Sequence, residues 1–115
     1  MKNKALLILL IILTAFGTNI VFTSKVGALQ SNDYEYLITE KGNAAIIRYL
    51  GNSANVVVPG TIGGKTVTEI RENAFYNCKN IISVKLPDSI TNIGGWAFAG
   101  CTSLKNITLP EGITN

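Results

Sequence analysis

A period of 23 residues constrains this chain more than any other feature. Ile70 to Asn92 reads IRENAFYNCKNIISVKLPDSITN, and Ile93 to Asn115 reads IGGWAFAGCTSLKNITLPEGITN. The two segments align without a gap and share nine identities: Ile70/Ile93, Ala74/Ala97, Phe75/Phe98, Cys78/Cys101, Leu86/Leu109, Pro87/Pro110, Ile90/Ile113, Thr91/Thr114 and Asn92/Asn115. Ile81/Leu104, Val84/Ile107 and Asp88/Glu111 keep their character. A unit this short cannot bury an apolar face by itself, so equivalent units must stack, each covering the next. The core is then a set of columns. The alignment predicts them as Ile70/Ile93, Ala74/Ala97, Phe75/Phe98, Cys78/Cys101, Val84/Ile107, Leu86/Leu109 and Ile90/Ile113.

Within each unit Ser83-Val84-Lys85-Leu86 and Asn106-Ile107-Thr108-Leu109 alternate polar and apolar. That period of two points Val84 and Leu86 to one face and Ser83 and Lys85 to the other. Pro87 and Pro110 close the strands, because proline cannot donate to a ladder. Glu72–Cys78 and Gly95–Cys101 are too short for an ordinary helix and read as single helical or 3₁₀ turns with Ala74, Phe75 and Cys78 turned inward. The expected class is α/β: a β-rich solenoid of short parallel strands and helical turns.

The pattern I-x-x-x-A-F-x-x-C-x-x-[IL]-x-x-[VI]-x-L-P-x-x-I, present twice over Ile70 to Asn115, resembles the BspA-type leucine-rich repeats of bacterial and protist surface proteins. The resemblance implies a leucine-rich-repeat solenoid that often begins with a hairpin and a longer first turn. It also implies adhesion to protein ligands such as fibronectin or fibrinogen.

The preceding residues are read on the same scheme. Residues 1–28 carry the marks of a cleaved signal peptide: a basic start at Lys2 and Lys4, an apolar core from Ala5 to Phe16, and the small residues of Val26-Gly27-Ala28 before Leu29. The reading favours this over an uncleaved membrane anchor running to Phe22, because Gly17, Thr18 and Asn19 interrupt the apolar run. Residues 29–54 are expected to form an N-terminal β-hairpin cap, with strands over Tyr34 to Glu40 and Ala44 to Leu50 about Lys41-Gly42-Asn43. Residues 55–115 hold the repeats, one degenerate and two full. Val56-x-Val58-Pro59 matches Val84-x-Leu86-Pro87, Ile62 matches Ile90, and five extra residues around Gly63-Gly64-Lys65 make a loop. Asn115 ends a full repeat, which leaves Asn106 to Leu109 as an open edge. The reading expects an N-terminal piece of a longer repeat protein, or a truncated product that folds poorly or pairs edge to edge as a dimer.

Charge and composition exclude several activities. The net charge of +3 includes Lys2, Lys4 and Lys25; from Leu29 onward seven basic residues balance seven acidic ones. A nucleic-acid surface is therefore not expected. The chain has no histidine, which removes Ser-His-Asp and Cys-His catalysis in cis and the commonest zinc ligand. No catalytic, cofactor or metal residues are assigned, and no enzyme is expected. Cys78 and Cys101 share a register position, where either a disulfide or a column of free thiols fits; the reading favours free thiols, since a bridge also needs a specific dihedral. Val57, Ser83, Lys85, Asn106 and Thr108 should line the outward strand face, as a protein-binding surface or as ordinary solvated polarity. Trp96 stands where the other unit has Asn73, as a binding anchor or as a cover over the coil surface. The expected function is a secreted or cell-surface protein that binds a host-matrix or cell-surface protein, with the membrane met only through the signal peptide. The alternative is a non-catalytic spacer or targeting module of a larger protein.

Overall fold

The computed structural model describes residues 27–115, so the expected signal peptide lies outside the described residues except for its last two. Nine strands form: β1 (Leu29–Ser31), β2 (Tyr34–Ile38), β3 (Ala44–Tyr49), β4 (Asn55–Val57), β5 (Thr61–Ile62), β6 (Lys65–Ile70), β7 (Ser83–Lys85), β8 (Asn92–Ile93) and β9 (Asn106–Thr108). They make two sheets. In the first, β1, β2 and β3 are antiparallel neighbours, β3 pairs in parallel with β6, and β8 pairs in parallel with β6 on its other side. In the second, β4, β7 and β9 lie side by side and parallel.

The repeat period sets the register. Asn55, Ser83 and Asn106 form one lateral row, Val56, Val84 and Ile107 the next, and Val57, Lys85 and Thr108 the third. In the first sheet Ile46 is beside Ile70, and Ile70 beside Ile93. These rows are the side-by-side stacking that a unit unable to bury its own apolar face requires.

The α/β expectation is corrected, because no helix forms among the described residues. The segments at Glu72–Cys78 and Gly95–Cys101 are chains of tight turns. A helix keeps its amide donors for its own carbonyls. Here the donors alternate. Ala74, Tyr76 and Cys78 donate three residues back, to Arg71, Asn73 and Phe75 at 3.2, 3.1 and 3.3 Å. Asn73, Phe75 and Asn77, between them, donate to the next coil at Gly95, Ala97 and Ala99 at 3.2, 2.7 and 2.8 Å. In Glu72–Cys78 stacking thus claims every second N–H, while in Gly95–Cys101 Ala97, Ala99 and Cys101 make the same three-residue turns to Gly94, Trp96 and Phe98.

The expected loop at Gly63-Gly64-Lys65 is instead a hairpin between β5 and β6. Gly63 and Gly64 have φ of 59° and 78°, the paired left-handed conformation of a type I′ turn. The β2–β3 hairpin forms about a turn at Thr39–Asn43, where Gly42 donates to the Thr39 carbonyl at 2.9 Å.

The core runs the length of the stack. Tyr34, Tyr49, Phe75 and Phe98 form an aromatic column with centroids 5.4, 5.1 and 4.9 Å apart. Tyr49 donates its N–H to Ala74 at 2.8 Å, as Phe75 donates to Ala97. The end of β3 therefore occupies the place of a coil before the first recognisable one. Ile70, Ala74, Phe75, Val84, Leu86, Ile90 and Ala97 are buried, and Cys78, Ile93, Phe98, Cys101 and Ile113 are partly buried against them. Ile107 and Leu109, expected in the core, are corrected: they are 38% and 53% exposed. Ile107 lies in β9 and Leu109 directly after it, and among the described residues no strand pairs with β9 on the side away from β7.

Candidate functional site

The outward face of the second sheet gathers five of the six residues singled out for binding. Alternation along β4, β7 and β9 turns Val56 and Val84 inward, so Asn55, Val57, Ser83, Lys85, Asn106 and Thr108 line the opposite side. Val57 is 69% exposed, Lys85, Asn106 and Thr108 are exposed, and Ser83 is half-buried. The Ser83 hydroxyl donates to the Asn55 side chain at 2.7 Å, which joins β4 and β7 across the face. Asn55 was legible as a member by its register with Ser83, yet sequence reasoning did not include it. The face carries one charge, on Lys85. It offers hydrogen bonds and a single apolar side chain, with no nucleophile or acid–base pair.

Trp96 is not on that face. It lies on the turn between β8 and β9 and lines a cleft of about 500 Å³ with Arg48, Tyr49, Asn73, Ala74 and Tyr76. The turn from Arg71 to Ala74 puts Asn73 at φ 61°, and the equivalent turn puts Trp96 at φ 58°. Left-handed backbone at the third position of such a turn suits glycine or asparagine. A bulky side chain there costs on the order of 1–2 kcal/mol. The indole recovers little of that by burial, since it is 73% exposed. Tyr76, 51% exposed, and Arg48 complete the cleft rim, and sequence reasoning missed both. Tyr76 faces Ala99 in the aligned unit and Arg48 lies outside the repeat, so periodicity gave no signal for either.

Cys78 and Cys101 are free thiols, both partly buried. The Cys101 thiol donates to the Phe75 carbonyl at 3.0 Å. Burial pushes both thiols above their ordinary range, and for Cys78 the neighbouring Cys101 adds to the effect. A raised thiol is a poor nucleophile. Among the described residues no group of three or more histidine, cysteine or acidic side chains is placed to hold a metal ion.

Residues 60–115 match the family profile described as a BspA type leucine-rich repeat region of 6 copies. The chain is similar to the leucine-rich-repeat protein of T. pallidum, with 40% identity and a TM-score of 0.70 over 74% of this chain and 40% of that one. It is similar to a leucine-rich-repeat protein from Bacteroides capillosus, with 34% identity and a TM-score of 0.68 over 76% of this chain and 68% of that one. It also resembles a leucine-rich cell surface protein from Faecalibacterium prausnitzii, with 33% identity and a TM-score of 0.66 over 74% of this chain and 24% of that one. No curated protein matches the chain. The chain thus spans less than half the length of the T. pallidum protein. All of these are repeat proteins, and no enzyme family is indicated.

Proposed function

The chain belongs to the BspA-type leucine-rich-repeat family, and we propose that it is a secreted or cell-surface adhesion protein whose repeats bind a host-matrix or cell-surface protein. The observation that carries this reading is the in-register outward face of β4, β7 and β9, where Val57, Lys85 and Thr108 stand in one row and Asn55, Ser83 and Asn106 in another. Secretion rests on the signal-peptide pattern of residues 1–28. It is supported by the relative described as a cell surface protein. The β1–β3 segment acts as the cap of the first coil, which keeps the N-terminal end of the column from solvent.

The face is small. Three strands about 4.8 Å apart, with two outward side chains each, present roughly 150–200 Å². A standard interface takes about 800 Å² from each partner. The reading therefore implies weak binding by these coils alone. The test is interferometry of the full chain over immobilised fibronectin and fibrinogen. We expect a dissociation constant in the micromolar range or weaker, and at least a tenfold loss in the double variant Val57→Asp/Lys85→Glu with an unchanged melting temperature. Binding that ignores both substitutions, or no binding to either ligand, would sink the reading.

A second reading is favoured by the chain's coverage of only 40% and 24% of two relatives. In it, the repeats are a spacer or targeting arm of a larger protein. The intact mass of the product from the native producer separates the two. A mass beginning at Leu29 and ending at Asn115 speaks against the spacer. The open edge of β9 is further proposed to pair two copies, which light scattering on the secreted protein would detect as a dimer.

A further inference from the structure

We propose that the cleft beside Trp96 is a saccharide-binding site, separate from the strand face and independent of the protein-binding reading. The indole is the stacking platform, and Arg48, Asn73 and Tyr76 supply the polar contacts.

The argument begins with the backbone. Equivalent turns in the two coils place Asn73 and Trp96 in the same left-handed conformation, at φ 61° and 58°. Asparagine fits that conformation with little strain, and tryptophan does not. Backbone strain persists where something beyond local stability retains it, and such outliers gather at ligand sites. Folding does not repay the strain here. Trp96 is 73% exposed, and among the described residues its ring stacks on no other aromatic. The exposure belongs to the position rather than to the open end of the stack, because Asn73 is also exposed although a full coil lies beyond it.

The surroundings indicate the ligand. Tyr76 adds a second exposed ring that carries a hydroxyl. The Arg48 side chain is 66% exposed and pairs with Glu35 through its Nε at 3.6 Å, and its terminal nitrogens make no hydrogen bond among the described residues. The Asn73 amide and the Tyr76 hydroxyl likewise make no hydrogen bond there. A pyranose ring offers a face of C–H groups and a rim of hydroxyls. The first suits the electron-rich face of an indole. The second suits a guanidinium with several free donors and an amide that both donates and accepts. A peptide anchor instead needs an enclosed apolar pocket. This cleft contributes only Ala74 as an aliphatic side chain.

Trp96 is the only tryptophan in the chain, so its fluorescence reports on this site alone. The full chain is titrated with cellohexaose, chitohexaose and mannohexaose. We expect a saturable blue shift with at least one of them. By calorimetry, that same sugar should lose at least tenfold in affinity for Trp96→Asn and for Tyr76→Ala, and severalfold for Arg48→Gln. Trp96→Asn should at the same time melt a few degrees higher, because the asparagine relieves the turn. That pairing of higher stability with lost binding is one a merely structural tryptophan would not show. Val57→Asp/Lys85→Glu should leave the sugar titration unchanged, which separates this site from the strand face. Three results overturn the proposal: no saturable shift with any hexasaccharide, sugar binding retained in Trp96→Asn, or a blue shift produced only by phosphatidylcholine–phosphatidylglycerol vesicles.

Discussion

The coils Ile70–Asn92 and Ile93–Asn115 share nine residues in register, yet their interiors differ. Phe75 is fully buried and Phe98 is partly buried. Val84 and Leu86 are 2% and 3% exposed, whereas Ile107 and Leu109 are 38% and 53%. The side chains point the same way in both coils. What differs is the neighbour: β7 lies between β4 and β9, while among the described residues β9 has a partner on one side only. In a stacked architecture the burial of a residue, and hence its energetic weight, belongs to the interface between coils rather than to the coil itself.

Paired substitutions test that comparison, and the aromatic column gives the largest contrast. Phe75→Ala should cost about 3–5 kcal/mol, the range for emptying a buried phenylalanine site. Phe98→Ala should cost about half as much, because part of its ring already meets water. Urea denaturation of both variants measures the difference, and equal losses would mean that the last coil is covered in solution. Next in size, Leu86→Ala should cost about 2–4 kcal/mol and Leu109→Ala under about 1 kcal/mol. A smaller effect is expected from exchanging the turn residues. Asn73→Trp should destabilise by about 1–2 kcal/mol and Trp96→Asn should stabilise by about 1 kcal/mol, both read from thermal midpoints. Destabilisation by Trp96→Asn would show that the indole packs productively on its turn.

The last prediction concerns the other end of the column. Burial pushes the Tyr34 hydroxyl up to about 12, with Tyr49 and Asp33 adding to the effect. Its folded value lies above the ordinary 10.0, so the stabilisation is whole below about pH 10 and is lost as pH climbs toward 12. Tyr34→Phe should flatten that alkaline loss in a pH series of urea midpoints.

Much of the repeat was legible because stacking is a one-dimensional rule. One period predicts which residues share a column, and Val56, Val58 and Ile62 were found by matching a single coil against a degenerate one. The residues missed are those whose partners the period does not supply. Tyr49 stands in the phenylalanine column without the repeat's spacing, three residues after Ile46 where Phe75 follows Ile70 by five. The β5–β6 hairpin read as a loop because Gly63-Gly64 marks a turn without naming the strands on either side. Trp96 is 73% exposed on its turn, a placement that its register opposite Asn73 does not by itself distinguish from a cover over the coil surface.

The amino-acid sequence by itself determined the stacking unit, the inward and outward sides of its strands, and the absence of histidine chemistry, because periodicity and composition are local properties. Tertiary structure decided the rest. In Glu72–Cys78 the amides divide between intracoil and intercoil acceptors, since each has only one proton to donate. The presence or absence of a neighbouring strand decided which members of a column are buried. The folding of β3 beside β6 brought Arg48 near Tyr76 and Trp96, a meeting between residues that no spacing in the chain foretells.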